Sequence, residues 1–214
     1  SKLDISHVEI EPGTDADRET GVRMLASQGF DLVFGVGFLF TDAIKEVAND
    51  FPNTKFAIID GFIADKPNVS SLLFTEHEGS FLVGVIAGMK AQADGKDTVG
   101  FIGGMDMPLI HKFEAGYKAG VQYAFAGCKI LSDYAGTTPS AFADPVKGKE
   151  LALAQADRGA YVIYHASGLT GAGVYEAGKE RKVYVIGVDS NQNHLGHVKE
   201  TGKNYGLTSM LKQV

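Results

Sequence analysis

The chain has 214 residues, of which 44% are hydrophobic and 21% charged, and its formal net charge is -6. That length supports one large or two small domains with a substantial core, and the balance excludes a disordered or fibrous chain. The acidic charge, with Lys and Arg scattered rather than clustered, makes nucleic acid and anionic membrane poor partners.

No apolar run reaches the roughly 20 residues that span a bilayer, and the opening SKLDISHVEI has neither a basic nor an apolar signal-like region. Cys128 is alone, so neither an internal disulfide nor a cysteine metal site is expected. It reads as a small residue in or near a strand.

Along the chain, apolar β-branched runs end in Gly, Asp or Ser and give way to helical patterns. The predicted order begins with a strand over 5–10, a helix over 15–28, a strand over 32–36, a helix over 40–49 and strands over 56–59 and 69–74. A helix over 78–93, a strand over 98–102, a helix over 108–124 and a strand over 129–131 follow. The remainder is a helix over 144–156, a strand over 161–164, a helix over 171–179, strands over 183–188 and 205–207, and a last helix starting near 208. Alternation of this kind predicts an α/β fold with parallel sheets flanked by helices on both faces. Continuously apolar runs such as VYVIGV suit strands buried on both sides. The polar segment MKAQADGKDT at 89–98 reads as a passage between lobes. It gives a first lobe over 1–94, a second over 95–190 and a return over 191–214, with a long surface loop as the alternative for 191–206.

In open parallel sheets ligands bind beyond the carboxyl ends of the strands. The residues there are Gly35-Val36-Gly37-Phe38, Asp60-Gly61, Thr75-Glu76, Gly103-Gly104-Met105-Asp106, His165-Ala166-Ser167-Gly168 and Asp189-Ser190. Small, acidic and aromatic, they suit a neutral, hydroxyl-rich ligand better than a polyanion. Asp60 and Asp189 stand out, because a carboxylate directly after an apolar strand can accept two hydroxyl hydrogen bonds from one vicinal diol. The alternative for both is capping of a following helix. Phe38 and Phe142 are aromatics in loop-like settings, able to stack on a flat ring or sugar face or to pack locally beneath their loops.

Other chemistries find little support. GVGFLFTDAI lacks the small residue a dinucleotide fingerprint needs after its Gly-x-Gly, so no cofactor is expected. His194 and His197 have no carboxylate or Cys beside them to complete a metal site. Neither Ser80 nor Ser167 sits in a G-x-S-x-G nucleophile elbow.

The segments DLVFGVGFLFTDAI, EGSFLVGVIAG, GFIGGMDMPLIHKFEAGYKAG, DPVKGKELALAQADRGAYVIYHASGLTGAGVYEAG, VIGVDSNQ and LTSMLKQV, taken in order over nearly the whole chain, resemble the basic membrane protein or PnrA-like family. These are substrate-binding lipoproteins of bacterial ABC importers for nucleosides, mainly purine nucleosides. The resemblance implies a two-lobed type I periplasmic-binding-protein-like fold with three crossover strands and a ligand held in the cleft. It implies no catalysis, a permease as partner, and a periplasmic or cell-surface location through a lipid anchor outside this chain. By position, Asp189 is similar to the carboxylate that binds ribose hydroxyls and Lys212 to the basic residue beside it, while Ser167 and Gly168 match a loop offering backbone groups to the sugar. Asp60 resembles a first-lobe acid that contacts the ligand, Phe142 a stacking aromatic, and Phe38 lies on the opposing loop. Met105 and His111 fall in a loop that faces the cleft in relatives, without an assigned contact.

The family's opening strand and G-x-x-x-D-x-(S/G)-F-N loop have no match here, so the chain is expected to be a fragment that binds weakly or not at all by itself. A ligand-sensing regulatory protein on the same fold is the alternative function. A nucleoside hydrolase ranks third, since the Asp cluster such enzymes place around a cation is absent.

Overall fold

The computed structural model describes residues 5–13 and 15–212, which divide into two compact units at the Phe74–Thr75 boundary. The first contains α1 (Asp15–Ser27), β1 (Leu32–Val36), α2 (Thr41–Asp50), β2 (Lys55–Ile59) and β3 (Val69–Leu72). Its strands are parallel, in the order β1-β2-β3. In α2, Ala43, Ile44, Val47 and Ala48 recur at helical spacing and form one buried face. Ile44, Val47 and Ala48 pack with Val22 and Ala26 of α1 against Val33, Phe56 and Ile58 of the sheet. The buried amide of Asn68 donates to the carbonyls of Ala48, Phe51 and Thr54, tying the end of α2 to the loop before β3.

The strand expected over 5–10 is not formed. Ile5 and Val8 are more than half exposed, and no strand among the described residues pairs with this segment. An apolar run without a neighbour to complete its backbone hydrogen bonds gains nothing by extending.

The second unit contains α3 (Glu76–Ala93), β4 (Thr98–Met105), α4 (Pro108–Ala124), β5 (Lys129–Gly136), α5 (Pro145–Asp157), β6 (Val162–Ala166), α6 (Gly171–Arg181), β7 (Tyr184–Asp189) and β8 (Gly206–Leu211). Its five strands are parallel, in the order β5-β4-β6-β7-β8. Alternate strand residues face opposite ways. Val99, Phe101, Tyr164 and Ile186 pack against α3 and α4, while Ile102, Leu131, Ile163 and Val185 pack against α5 and α6. Both faces are therefore covered, as the apolar runs predict.

Helices α3 and α4 approach through glycine. A Cβ on Gly120 would lie 2.0 Å from the carbonyl oxygen of Phe81, and one on Gly84 would lie 2.3 Å from that of Tyr117. Val83, Ala87 and Ala91 of α3 share a core with Phe113, Tyr117 and Val121 of α4. This packing places α3 with the second unit, so the compact units part before α3 and not at the 89–98 segment. The 191–206 segment joins two neighbouring strands of one sheet, β7 and β8. It is folded back on itself by the Tyr205 N–H, which donates to Gly196 at 2.9 Å.

The helix expected from 208 is instead the body of β8. Thr208, Ser209, Met210 and Leu211 pair with Ile186, Gly187, Val188 and Asp189, and a parallel neighbour that completes the ladder decides the conformation of so short a run. The pairing steps from Val185–Gly206 to Ile186–Thr208, leaving Leu207 as an extra residue in the ladder.

Candidate functional site

Because all five strands of the second unit are parallel, their carboxyl ends lie along one edge. Asp189 ends β7, is exposed, and has a φ of 66°, a left-handed conformation that Asp tolerates better than most residues. The carbonyl of Asp189 accepts from the Lys212 N–H at 2.9 Å, so the first residue beyond β8 is fixed beside the last residue of β7.

The Lys212 side chain turns inward, only 9% exposed, with Nζ 3.9 Å from Oε1 of Glu76 and 5.7 Å from the centre of the Phe113 ring. Glu76 opens α3, where a negative charge suits the helix dipole, and its side chain is 1% exposed. Its Oε2 lies 3.8 Å from Nζ of Lys112 and takes no hydrogen bond among the described residues. Beneath this group Tyr164 Oη pairs with Ser80 Oγ at 3.2 Å. Burial pushes the Tyr164 hydroxyl well above the usual tyrosine range, the Ser80 contact opposes this, and the charges of Asp189 and Glu76 add to it. The edge thus gathers the carboxylates of Asp189 and Glu76 with Lys212 near a buried tyrosine, and the enclosed Glu76 Oε2 faces Lys112.

Farther along the same edge, the Phe142 ring covers the backbone of Gly104, where a Cβ would lie 2.4 Å from the ring. A Cβ on Gly168 would lie 3.0 Å from the Phe142 carbonyl oxygen. The segment is pinned by Thr170, whose hydroxyl donates to Ala141 at 2.7 Å and accepts from the Asp144 N–H at 2.9 Å. Gly168 is exposed, with a φ of 57°. Ser167 is fully buried, and its hydroxyl lies 3.2 Å from Nδ1 of His165. Burial lowers His165 to about 4, against a smaller raising effect from its hydrogen bond to Gln192; it is neutral at physiological pH.

In the first unit, Asp60 follows β2 with a φ of 67°, and its N–H donates to Leu72 at 3.0 Å. Phe38 begins a short 3-10 turn after β1, and its carbonyl accepts from the Thr41 hydroxyl at 2.6 Å. Both are half-buried at strand carboxyl ends. No helix begins directly after Asp60 or Asp189, so helix capping accounts for neither. Met105 is half-buried at the end of β4, and the exposed His111 holds Asp106 at 2.7 Å.

Within the second unit the structure therefore brings Asp189 beside Lys212 and Phe142 beside Gly168, and it turns the Ser167 hydroxyl away from the edge. Glu76, Ser80 and Tyr164 complete the group and are not distinguished by the sequence. The one available signal is Glu76 at a strand end.

The chain over residues 1–214 matches the family described as ABC transporter substrate-binding protein PnrA-like. It is 38% identical to the CD4+ T-cell-stimulating antigen of Listeria monocytogenes over 96% of this chain and 58% of that protein. It is 36% identical to the ABC transporter nucleoside-binding protein BmpA of Lactococcus lactis over 100% of this chain and 62% of that one. The chain thus spans less than two thirds of the length of these relatives. A solved ABC transporter solute-binding protein from Aeropyrum pernix superposes with a TM-score of 0.74 at 33% identity, over 85% of this chain and 52% of that one. The α/β fold, with helices flanking parallel sheets, is that of type I periplasmic solute-binding proteins. No helix among the described residues is long and apolar enough to cross a membrane. This chain belongs to the PnrA-like family of ABC transporter substrate-binding proteins.

Proposed function

We propose that this chain is the ligand-binding part of the solute-binding component of an ABC importer, and that its ligand is a nucleoside, with purine nucleosides first. The observation that carries the reading is the nearly buried Glu76 carboxylate, shared between Lys112 and Lys212. Together with Asp189 it offers carboxylate acceptors and a cationic donor without a large excess of either charge, which matches a ribose and not a phosphate. The Phe142 ring, backed by Gly104, supplies an aromatic surface for a base. The name of the Lactococcus lactis relative points to the same ligand class.

In this reading Asp189 and Lys212 hold the ribose hydroxyls, Gly168 offers its backbone, and no bond of the ligand is broken. The protein works outside the cytoplasm, held by a lipid anchor and delivering its ligand to a permease. The test is a mass spectrum of the small molecule released when the purified full-length protein is denatured, followed by calorimetric titration with adenosine, inosine, ribose and ribose 5-phosphate. A nucleoside in the spectrum and tighter binding of the nucleosides than of either sugar support the reading. A preference for the phosphorylated sugar, or release of free hypoxanthine from inosine, overturns it.

A further inference from the structure

The buried imidazole of His165 lies at the junction of three strand ends. Gln192 Oε1 accepts from the Val188 N–H at 3.1 Å, which identifies it as the amide oxygen. The same oxygen lies 3.0 Å from His165 Nε2, so Nε2 carries the ring proton. Nδ1 is then an acceptor, and the Ser167 hydroxyl donates to it at 3.2 Å. The Gln192 N–H donates to Ser209 Oγ at 3.0 Å, and that hydroxyl donates to Asn193 Oδ1 at 3.0 Å. One chain of hydrogen bonds therefore runs from β6 through the turn after β7 to β8.

The ring has little freedom to move. A Cβ on Gly171 would lie 2.0 Å from His165 Cε1, and Tyr175 stands edge-on with ring centres 5.8 Å apart. His165, Gln192 and Ser209 each lie three residues from a position assigned to the ligand, namely Gly168, Asp189 and Lys212. A shift of the network would be passed to all of these through short, hydrogen-bonded backbone.

We infer that His165 is a positioning residue for ligand binding: its Nε2–H tautomer ties the Ser167–Gly168 loop to the turn that follows Asp189 and so sets their spacing along the sheet edge. The inference rests on the nucleoside-binding reading above. Neither Nδ1 nor Nε2 is available to the ligand, and the Ser167 hydroxyl has its proton committed to the ring.

The test is calorimetric titration of adenosine into the full-length protein and its His165→Gln, His165→Phe, Ser167→Ala and Asp189→Asn variants, with melting temperatures measured alongside. His165→Phe and Ser167→Ala are expected to weaken adenosine binding about tenfold, as loss of a buried hydrogen bond does. His165→Gln, which keeps one donor and one acceptor, is expected to restore most of it. In the wild type, the imidazole nitrogen resonances are expected to report the Nε2–H tautomer and to shift when adenosine is added. Unchanged affinity in His165→Phe and Ser167→Ala, with Asp189→Asn weakened, overturns the positioning role and leaves the binding reading standing. Unchanged affinity in Asp189→Asn as well, or no adenosine binding by the wild type, overturns the binding reading itself. Should His165→Phe fail to fold, Ser167→Ala and the nitrogen resonances decide the matter.

Discussion

Lys212 and Asp189 are joined through their backbones, the N–H of one donating to the carbonyl of the other at 2.9 Å, so the charges assigned to the ribose are carried on neighbouring, hydrogen-bonded strand ends. Asp189 has a φ of 66°, which Asn accepts as readily as Asp and Ala does not. Asp189→Asn is therefore the cleaner substitution. It is expected to cost about 2 to 4 kcal/mol of adenosine binding, as loss of a charged contact that the bound ligand buries does. The melting temperature should stay nearly constant, and titration calorimetry with a thermal melt checks both.

Glu76 and Lys212 hold one another in a nearly closed environment. Lys212→Met leaves the Glu76 carboxylate facing Lys112 at 3.8 Å. Breaking an isolated buried pair costs about 3 to 5 kcal/mol. With Lys112 still present, the expected loss is smaller, about 2 kcal/mol, read from the urea midpoint without ligand.

Burial holds the His165 pKa at about 4, below its ordinary 6.5. Between these values the unfolded chain binds more protons at this residue than the folded one, so stability falls as pH falls. The contribution is fully present above about pH 6.5 and is lost progressively towards pH 4, on the order of 3 kcal/mol in all. Urea denaturation across that window should show the slope in the wild type. His165→Gln, with no titrating group, should lose this part of it.

The α3–α4 contact is sensitive to a single methyl group. Gly120→Ala would place a Cβ 2.0 Å from the Phe81 carbonyl oxygen, and rigid backbone on both sides leaves no side chain to yield. The expected cost is about 2 kcal/mol or more, measured by thermal melting. Gly127→Ala serves as the control, because its Cβ would meet only the Phe125 ring at 3.6 Å.

Most of the regular elements are legible in the sequence, since patterns such as Ala43, Ile44, Val47 and Ala48 state both conformation and buried face. Helix α4 (Pro108–Ala124) has the predicted bounds, because a proline at its first position and Gly127 shortly past its end leave little choice. The 5–10 segment and β8 are not legible in the same way. Whether a short apolar run becomes a strand depends on a partner elsewhere in the chain, and local sequence does not name that partner. The site divides similarly. Asp189 is marked by its strand end and Lys212 by the family resemblance alone, but the importance of Glu76 arises from its burial beside Lys112 of α4 and Lys212 after β8. Ser167 and Gly168 are one dipeptide in sequence, yet one side chain faces His165 while the other residue faces solvent.

The extra residue at Leu207 carries a consequence for the opposite end of its strand. Side chains along a strand alternate in facing, so one inserted residue reverses the phase of everything after it. With the insertion, Met210 falls on the covered face, 4% exposed, and Leu211 pairs with Asp189. In an unbroken ladder Leu207 would pair with Ile186, each later pairing would take the preceding residue of β8, Met210 would face Asp189, and Lys212 would lie one step farther from the end of β7. The bulge is thus a phase correction made at the far end of the sheet, and the placement of the lysine charge beside Asp189 depends on it.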